Sequence, residues 1–502
     1  MNKYDVIVIG AGNGGLMSAA TTAKNGLKTL LLEKHNLPGG CATSFVRGRF
    51  EFEPSLHELC FVGTKENPSS IYKLFDNLGA KINWKYDENC FRVILKGENG
   101  YDVTVATGKE NFIDSMEKAV PGCRESVTKF FEIAEMTKNA MDYMGNVTVP
   151  TKFLTEYKDF VKAGCYSMEE IFDYLKMPQK AQDILTTYWC YLGVPTDDLI
   201  GMHFSNMVYS YVVDGAAMPE KRSHELSLAL AKVIYDNDGE IWYNSEVKGL
   251  LFDEEGKVCG VKVNGKEIYA KEVISNVIPH NIYNMIGKDR VPKRDLKLAN
   301  ARKFGLSMVT AYLGLDCTKE ELGIDDYTVF VTTESNPRKQ FDECGEGALY
   351  IVNCLNTVIP DCTPKGTSTL FFSLPMFDRD FPKDLTPEKY KKFKNDFVRK
   401  YIEDYEKVMG IDIMSHIEEI SIATPVTFAR YLNTPAGEIY GYESSGWDNV
   451  MLRSVFEPMD NNIKGLTFVG GHAANGDGYS SAYSTGYAGA MNVIKKIKKE
   501  GK

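Results

Sequence analysis

The sequence predicts an α/β protein built on a Rossmann-like nucleotide-binding domain, and three features near its start carry that prediction. Asp5-Val6-Ile7-Val8-Ile9 is a short apolar run of strand length. It enters the turn Gly10-Ala11-Gly12-Asn13-Gly14-Gly15, and Leu30-Leu31-Leu32-Glu33 follows as a second strand ending in a carboxylate. Strand, glycine turn, helix, strand and acid in this order form the fingerprint of a dinucleotide-binding βαβ unit. Gly10 permits the tight turn, Gly12 lets the backbone approach a pyrophosphate, and Gly15 lets the helix pack on the strand. The helix, expected over 14–26, offers its N-terminal amides and positive dipole end to the diphosphate, with Asn13 and Gly14 in its approach. Glu33, about 20 residues on, is placed to accept hydrogen bonds from ribose hydroxyls.

After Glu33 the chain reads Lys34-His35-Asn36-Leu37-Pro38-Gly39-Gly40, and then Arg47-Gly48-Arg49-Phe50-Glu51-Phe52-Glu53. A glycine pair just after the acid, followed by a basic and aromatic stretch, resembles the flavoprotein group of phytoene desaturases, prolycopene isomerases and retinol saturases. Later stretches in matching order extend the resemblance over nearly the whole chain: Gly239 to Val247 with Gly260-Val261, Asp361 to Gly366, Thr424-Pro425 to Gly441, and Gly465 to Tyr479. The resemblance implies FAD as the cofactor, held by a glutathione-reductase-type domain into which a mixed α+β substrate domain is inserted. The FAD-binding domain is then expected in three pieces, 1–105, 236–290 and 441–502. A mainly helical substrate-side segment, 106–235, and a second substrate part, 291–440, lie between them.

The same resemblance assigns cofactor contacts. Lys34, Gly39, Gly40 and Cys41 follow the pyrophosphate, and the backbone of Val247 clasps the adenine. Gly471 closes the C-terminal strand, and Gly476-Asp477-Gly478-Tyr479 opens a final helix expected over 480–498. That helix start suits the flavin pyrimidine edge, which becomes negative on reduction. The chain departs from its relatives twice: Cys41 stands where many have arginine, and Gly471-His472 where many have an acid.

The remaining features bound the chemistry. At 502 residues, 43% hydrophobic and 25% charged, the chain is long enough for a substantial core. A net charge of −10 argues against a nucleic-acid surface. No apolar run reaches membrane-spanning length, and the first strand begins by Tyr4, leaving no room for a signal peptide. Eleven cysteines without a C-x-x-C pair read as reduced thiols in a cytoplasm, with no metal spacing. Cys41 and Cys60 read as small hydrophobes. Segments 240–247, 257–263 and 271–276 read as strands, and 386–409 as a helix with a solvated charged face.

Candidate chemistry lies in Glu53-Pro54-Ser55-Leu56-His57-Glu58, expected near the flavin ring. His57 and Glu58 are candidate proton donors or acceptors, although a lone histidine is most simply a satisfied polar residue. Tyr188, Trp189, Tyr191, Met202, Phe204, Met207, Tyr209 and Tyr211 are expected to wall an apolar pocket. No second glycine-rich βαβ unit provides a nicotinamide domain, and the electron partner is not specified.

The expected function is therefore an FAD-dependent oxidoreductase acting on carbon–carbon bonds of an apolar polyene or lipid-like molecule, by desaturation, saturation or isomerisation. Two alternatives stand beside it, a flavin-dependent amine oxidase and a non-catalytic lipid- or prenyl-binding protein on the same fold. The expected location is cytoplasmic, with peripheral contact to a membrane left open.

Overall fold

A computed structural model describes residues 4–146, 155–450, 452–453, 463–473 and 478–500. Strand Tyr4–Ile9 lies at the centre of the first sheet, parallel to Thr29–Leu32 on one side and to Lys266–Ser275 on the other. Glu240–Trp242 extends the sheet beyond Thr29–Leu32, and Leu466–Phe468 pairs in parallel with Val273 to Ser275. Strand Lys266–Ser275 also joins an antiparallel meander with Val258–Val263 and Val247–Phe252. The central strands are buried on both faces, which explains their unbroken apolar runs.

Local chemistry moves several expected boundaries. The first helix is Asn13–Lys24 rather than 14–26, because the chain leaves it through Asn25 and Gly26, the latter at φ +79°. The expected strand 240–247 divides into Glu240–Trp242 and Val247–Phe252. Asn244 turns the chain at φ +51°, and the amides of Asn244 and Ser245 donate to the carbonyls of His35 (3.0 Å) and Glu33 (2.7 Å). The final helix is Gly478–Glu500.

A second sheet runs in the order Ile417–Ala423, Ser307–Leu315, Ser368–Met376, Leu349–Cys354, Thr328–Thr332, Asn89–Leu95, Tyr101–Ala106. Its last two strands correct the boundary at 105. They come from the segment assigned to the FAD domain, yet Asn89–Leu95 pairs in parallel with Thr328–Thr332. Helix Pro387–Met409 covers one face through buried Val398, Tyr401, Ile402 and Tyr405, leaving its Lys/Asp/Glu face to solvent. The other face meets the helices of 109–215, whose Phe112, Phe130, Phe131, Phe172 and Phe204 are buried in one apolar cluster.

The C-terminal helix returns against the first helix at glycine. Ser18 Oγ lies 2.8 Å from both the Gly14 and the Gly486 carbonyl, and a Cβ on Gly486 would sit 2.4 Å from the Gly14 carbonyl oxygen. Gly486→Val must therefore push the two helices apart, a loss of about 1–3 kcal/mol for overpacking. Thermal denaturation should show a lower melting temperature; an unchanged one would mean that the contact is slack.

Candidate functional site

Backbone alone joins the two glycine turns. Gly10 takes φ +89°, a region closed to most side chains, and turns the first strand into the helix. Gly12 caps that helix with no side-chain hydrogen bond, so the amides of its first turn are left for an anion. The Gly39 amide donates to the Ala11 carbonyl at 2.7 Å, and Gly39 bridges Gly12 in parallel. A Cβ on Gly40 would stand 3.2 Å from the Gly12 Cα. Glu33, at the end of the second strand, accepts from the Ala11 amide at 2.6 Å and the His35 amide at 2.8 Å. Its carboxylate thus stands at the glycine turn. A cradle stripped of side chains, an uncapped helix start and an adjacent carboxylate fit a dinucleotide.

Asn276 is a residue that sequence reasoning missed. It follows strand Lys266–Ser275, and its side-chain amide fills the space beside the turn. A Cβ on Gly12 would lie 2.6 Å from its Nδ2, and one on Gly14 2.8 Å from its Oδ1. A residue at the end of a strand parallel to the first is the signal that could have found it.

Other expected contacts are less uniform. Asn13 is buried and its Oδ1 accepts from Tyr483 at 3.1 Å, so its side chain serves the helix contact. Lys34 is exposed, and its Nζ donates to the Arg430 carbonyl at 3.3 Å. Val247 starts a strand and pairs with Val263. Gly471 packs its carbonyl against Gly441, and His472 bonds through Nε2 to the buried carboxylate of Glu438 at 3.0 Å. An acid from a different segment therefore reaches the corner where the strand itself lacks one. Gly476 and Asp477 lie outside the described residues.

A cavity of about 420 Å³ gathers three separate parts of the chain. Residues 55–61 form one wall, Tyr191, Met202, Met207 and Tyr211 another, and Gly478, Tyr479 and Ser480 of the C-terminal helix a third. Half of the expected aromatic wall is therefore in place. Tyr188, Trp189 and Phe204 are instead buried core: Tyr188 OH donates to the Cys90 carbonyl at 3.3 Å, and Trp189 Nε1 donates to Gln340. Tyr209 is outside the lining. Helix Gly201–Tyr209 passes into a π-turn, Ser210–Gly215, which carries Tyr211 to within 3.3 Å of the Glu58 carbonyl. Ser210 Oγ accepts from the amide of Phe61 at 2.5 Å, and Phe61 is held at a left-handed φ of +62°.

Burial dictates the charge states in this cavity. His57 is held by Tyr191 OH at Nδ1 and Ser373 Oγ at Nε2, each 3.1 Å away, and burial pushes its pKa down to about 3. It is neutral at physiological pH. Glu58 moves the opposite way: burial, with the charge of Asp87 adding, raises its carboxyl well above the usual range. Burial also pushes up the thiol of Cys60, to about 11, and outside the lining that of Cys41, to about 12. Both stay protonated.

Glu53 is the second residue that sequence reasoning underrated. Its buried carboxylate accepts from the Ser223 amide and hydroxyl, both at 2.8 Å, and from the Leu56 and Ser55 amides at 2.8 and 3.1 Å. It ties the segment carrying His57 and Glu58 to the start of helix His224–Asp236. Tyr479 OH reaches Ser55 Oγ at 2.9 Å, tying the same segment to the C-terminal helix.

The shift of His57 has a sign that can be checked. The fold resists protonation until about pH 3, whereas the unfolded chain protonates near its ordinary value of about 6.5. Stability from this group is present above the unfolded value and is lost as pH falls through that window. His57→Phe should therefore lose less melting temperature than the wild type between about pH 7 and about pH 5. Identical slopes would place the imidazole in contact with solvent.

Residues 8–78 match a family described as an NAD(P)-binding Rossmann-like domain. The chain is 25% identical over 476 residues to an all-trans-retinol 13,14-reductase of Danio rerio, covering 87% of this chain and 77% of that one. It is 25% identical over 520 residues to a chloroplastic prolycopene isomerase of Daucus carota, covering 100% and 81%. It is 22% identical to a 4,4'-diapophytoene desaturase of Methylomonas sp, covering 99% and 96%. A structure of putrescine oxidase bound to putrescine superposes with a TM-score of 0.63 at 16% identity, covering 98% and 99%, a likeness of fold. Cradle, family match and relatives together define the class, an oxidoreductase built on a Rossmann-like dinucleotide-binding domain. Over most or all of its length the chain is similar to these retinol reductases, prolycopene isomerases and diapophytoene desaturases, at 22–25% identity. Among the described residues no helix is long and apolar enough to cross a membrane.

Proposed function

We propose that the chain is an FAD-dependent oxidoreductase that acts on a carbon–carbon bond of an apolar polyene, by saturation, desaturation or isomerisation. One observation carries the reading: a single cavity collects the Ser55–Phe61 segment, the aromatic and methionine wall, and the start of the C-terminal helix. That helix packs on the first helix of the dinucleotide cradle. Relatives named for retinol and for prolycopene support the substrate class. When bound, FAD supplies the exchange of hydride with the substrate.

The residues divide the remaining work. Gly12, Gly39 and Gly40 let the backbone approach the pyrophosphate, and Glu33 takes the ribose. Tyr191, Met202, Met207 and Tyr211 exclude water and hold the apolar chain. Glu58, whose carboxyl burial holds well above the usual range, gives the proton to substrate carbon in a saturation; in a desaturation its ionised form would take it. His57 is neutral and bridges Tyr191 and Ser373, so it fixes the wall rather than acting as an imidazolium acid. Glu53 holds the segment in place.

The cofactor assignment is checked by flavin content. Gly12→Val should yield colourless protein, since its side chain enters the cradle. Glu33→Ala should weaken FAD by about 1.5–3 kcal/mol, the value of a hydrogen bond to a charged group. Stoichiometric flavin in Gly12→Val would overturn the dinucleotide reading.

The acid is checked by turnover. Glu58→Gln should slow the proton-transfer step by about 10²–10⁴-fold while flavin binding is retained. If the reaction is a saturation, activity should also fall as pH rises through the raised pKa of Glu58, because the donor form is lost. Unchanged turnover in Glu58→Gln would move the role to a tyrosine of the wall.

The substrate class is checked by spectroscopy. Long polyenes should perturb the flavin spectrum, with affinity rising with buried apolar area at about 25 cal/mol/Å². Short amines should neither perturb it nor release peroxide; peroxide from an amine would favour the amine-oxidase reading instead.

A further inference from the structure

The geometry points to a zinc-binding site formed by Asp316, Cys317 and His416, at an edge of the second sheet and outside the cavity lining. No motif announces it, because the ligands come from two segments 100 residues apart. The topology brings them together. Strand Ser307–Leu315 runs out into Asp316 and Cys317, and Ile417–Ala423 pairs with it so that Leu315 stands opposite Ile417. His416, one residue earlier, therefore returns beside Asp316.

Hydrogen bonds fix all three backbones. The Asp316 amide donates to the His416 carbonyl at 3.0 Å, Ser368 Oγ donates to the Cys317 carbonyl at 2.8 Å, and the His416 amide donates to the Ile413 carbonyl at 3.0 Å. One ligand atom from each side chain lies within 4.8 Å of the other two, and His416 Nδ1 is 2.8 Å from Asp316 Oδ1. A tetrahedral zinc with bonds of about 2.0–2.3 Å holds its ligand atoms about 3.3–3.8 Å apart.

The donor set selects the metal. Imidazole nitrogen, thiolate sulfur and carboxylate oxygen together suit zinc, whereas magnesium and calcium prefer oxygen alone. Cys317 is 4% exposed and belongs to the apolar cluster with Leu315, Leu322 and Ile413, so sulfur forms a dry floor. Asp316 and His416 are solvent-accessible, which leaves a path of entry and a fourth position for water. Binding exchanges the thiol proton for a sulfur–zinc bond, the proton passes to solvent, and nothing is oxidised or reduced. The ion clips an edge strand, Ile417–Ala423, to its neighbour, a place where sheets need protection.

The test uses the full-length chain, stripped with a chelator and titrated with zinc in equilibrium dialysis, with metal content measured by elemental analysis. The wild type should hold one zinc per chain and no magnesium. Cys317→Ser and His416→Ala should each lose that zinc. Cobalt should give a thiolate charge-transfer band that Cys317→Ser lacks, and zinc should raise the melting temperature of the wild type alone. Asp316→Asn, a surface change, gives the same reading should the other variants fold poorly: it should bind zinc more weakly with an unchanged circular dichroism spectrum. A wild type that takes up no zinc, or zinc that survives Cys317→Ser and His416→Ala equally, overturns the site.

Discussion

The contact between the first helix and the last is the constraint on which the site depends. Two helices can approach until carbonyl and Cα nearly touch only where both lack side chains, and Gly14 and Gly486 supply that on opposite sides. Ser18 then shares one hydroxyl between the two carbonyls. Because the C-terminal helix is seated here, its first residues, Gly478 to Ser480, are delivered to the cavity. Gly470, just after strand Leu466–Phe468, comes so close that a Cβ on Gly14 would lie 2.7 Å from the Gly470 Cα. A domain whose pieces come from both ends of the chain thereby closes around one turn.

Inside the cavity, desolvation outweighs the individual hydrogen bonds. His57 has two partners, yet both are neutral hydroxyls, which offer little compensation for a buried imidazolium. Glu58 has a second carboxylate, Asp87, as its charged neighbour, which penalises its ionised form further. At Glu53 hydrogen bonds offset part of the same effect, and the net shift is still upward. Burial raises its carboxyl too, but three backbone amides and a hydroxyl pull in the other direction. Within six residues of sequence the chain therefore carries a neutral imidazole and two carboxyls that hold their protons more tightly than free ones, of which Glu53 is anchored by its donors.

The dinucleotide cradle was legible because its physics is local: turn, helix start and strand-end acid are neighbours in the chain. The cavity was legible only in part. The sequence could identify a stretch rich in Tyr, Met and Trp, but buried core and pocket wall draw on the same residue types. Trp189 and Tyr191 are two residues apart, yet the first points into packing around Gln340 and the second to His57. The roles of Asn276 and Glu53 were hidden for another reason, since each depends on a partner more than 150 residues away. The boundary at 105 failed because the pairing of Asn89–Leu95 with Thr328–Thr332 is non-local.

These features also limit what the cavity can do. Lys138, Asp142 and Asn206 also line the cavity, but over the tyrosine, methionine and leucine part of its wall a polar substrate would surrender hydration, whereas an apolar chain gains by the same transfer. In the proposed reaction a proton donor is best uncharged before it acts, since a charge unpaired in such surroundings is costly. A protonated carboxyl meets that condition and an imidazolium does not. Under the proposed function apolar binding and a neutral acid are thus one requirement seen from two sides, and the segment from Ser55 to Phe61, which lines the cavity, is where both would meet.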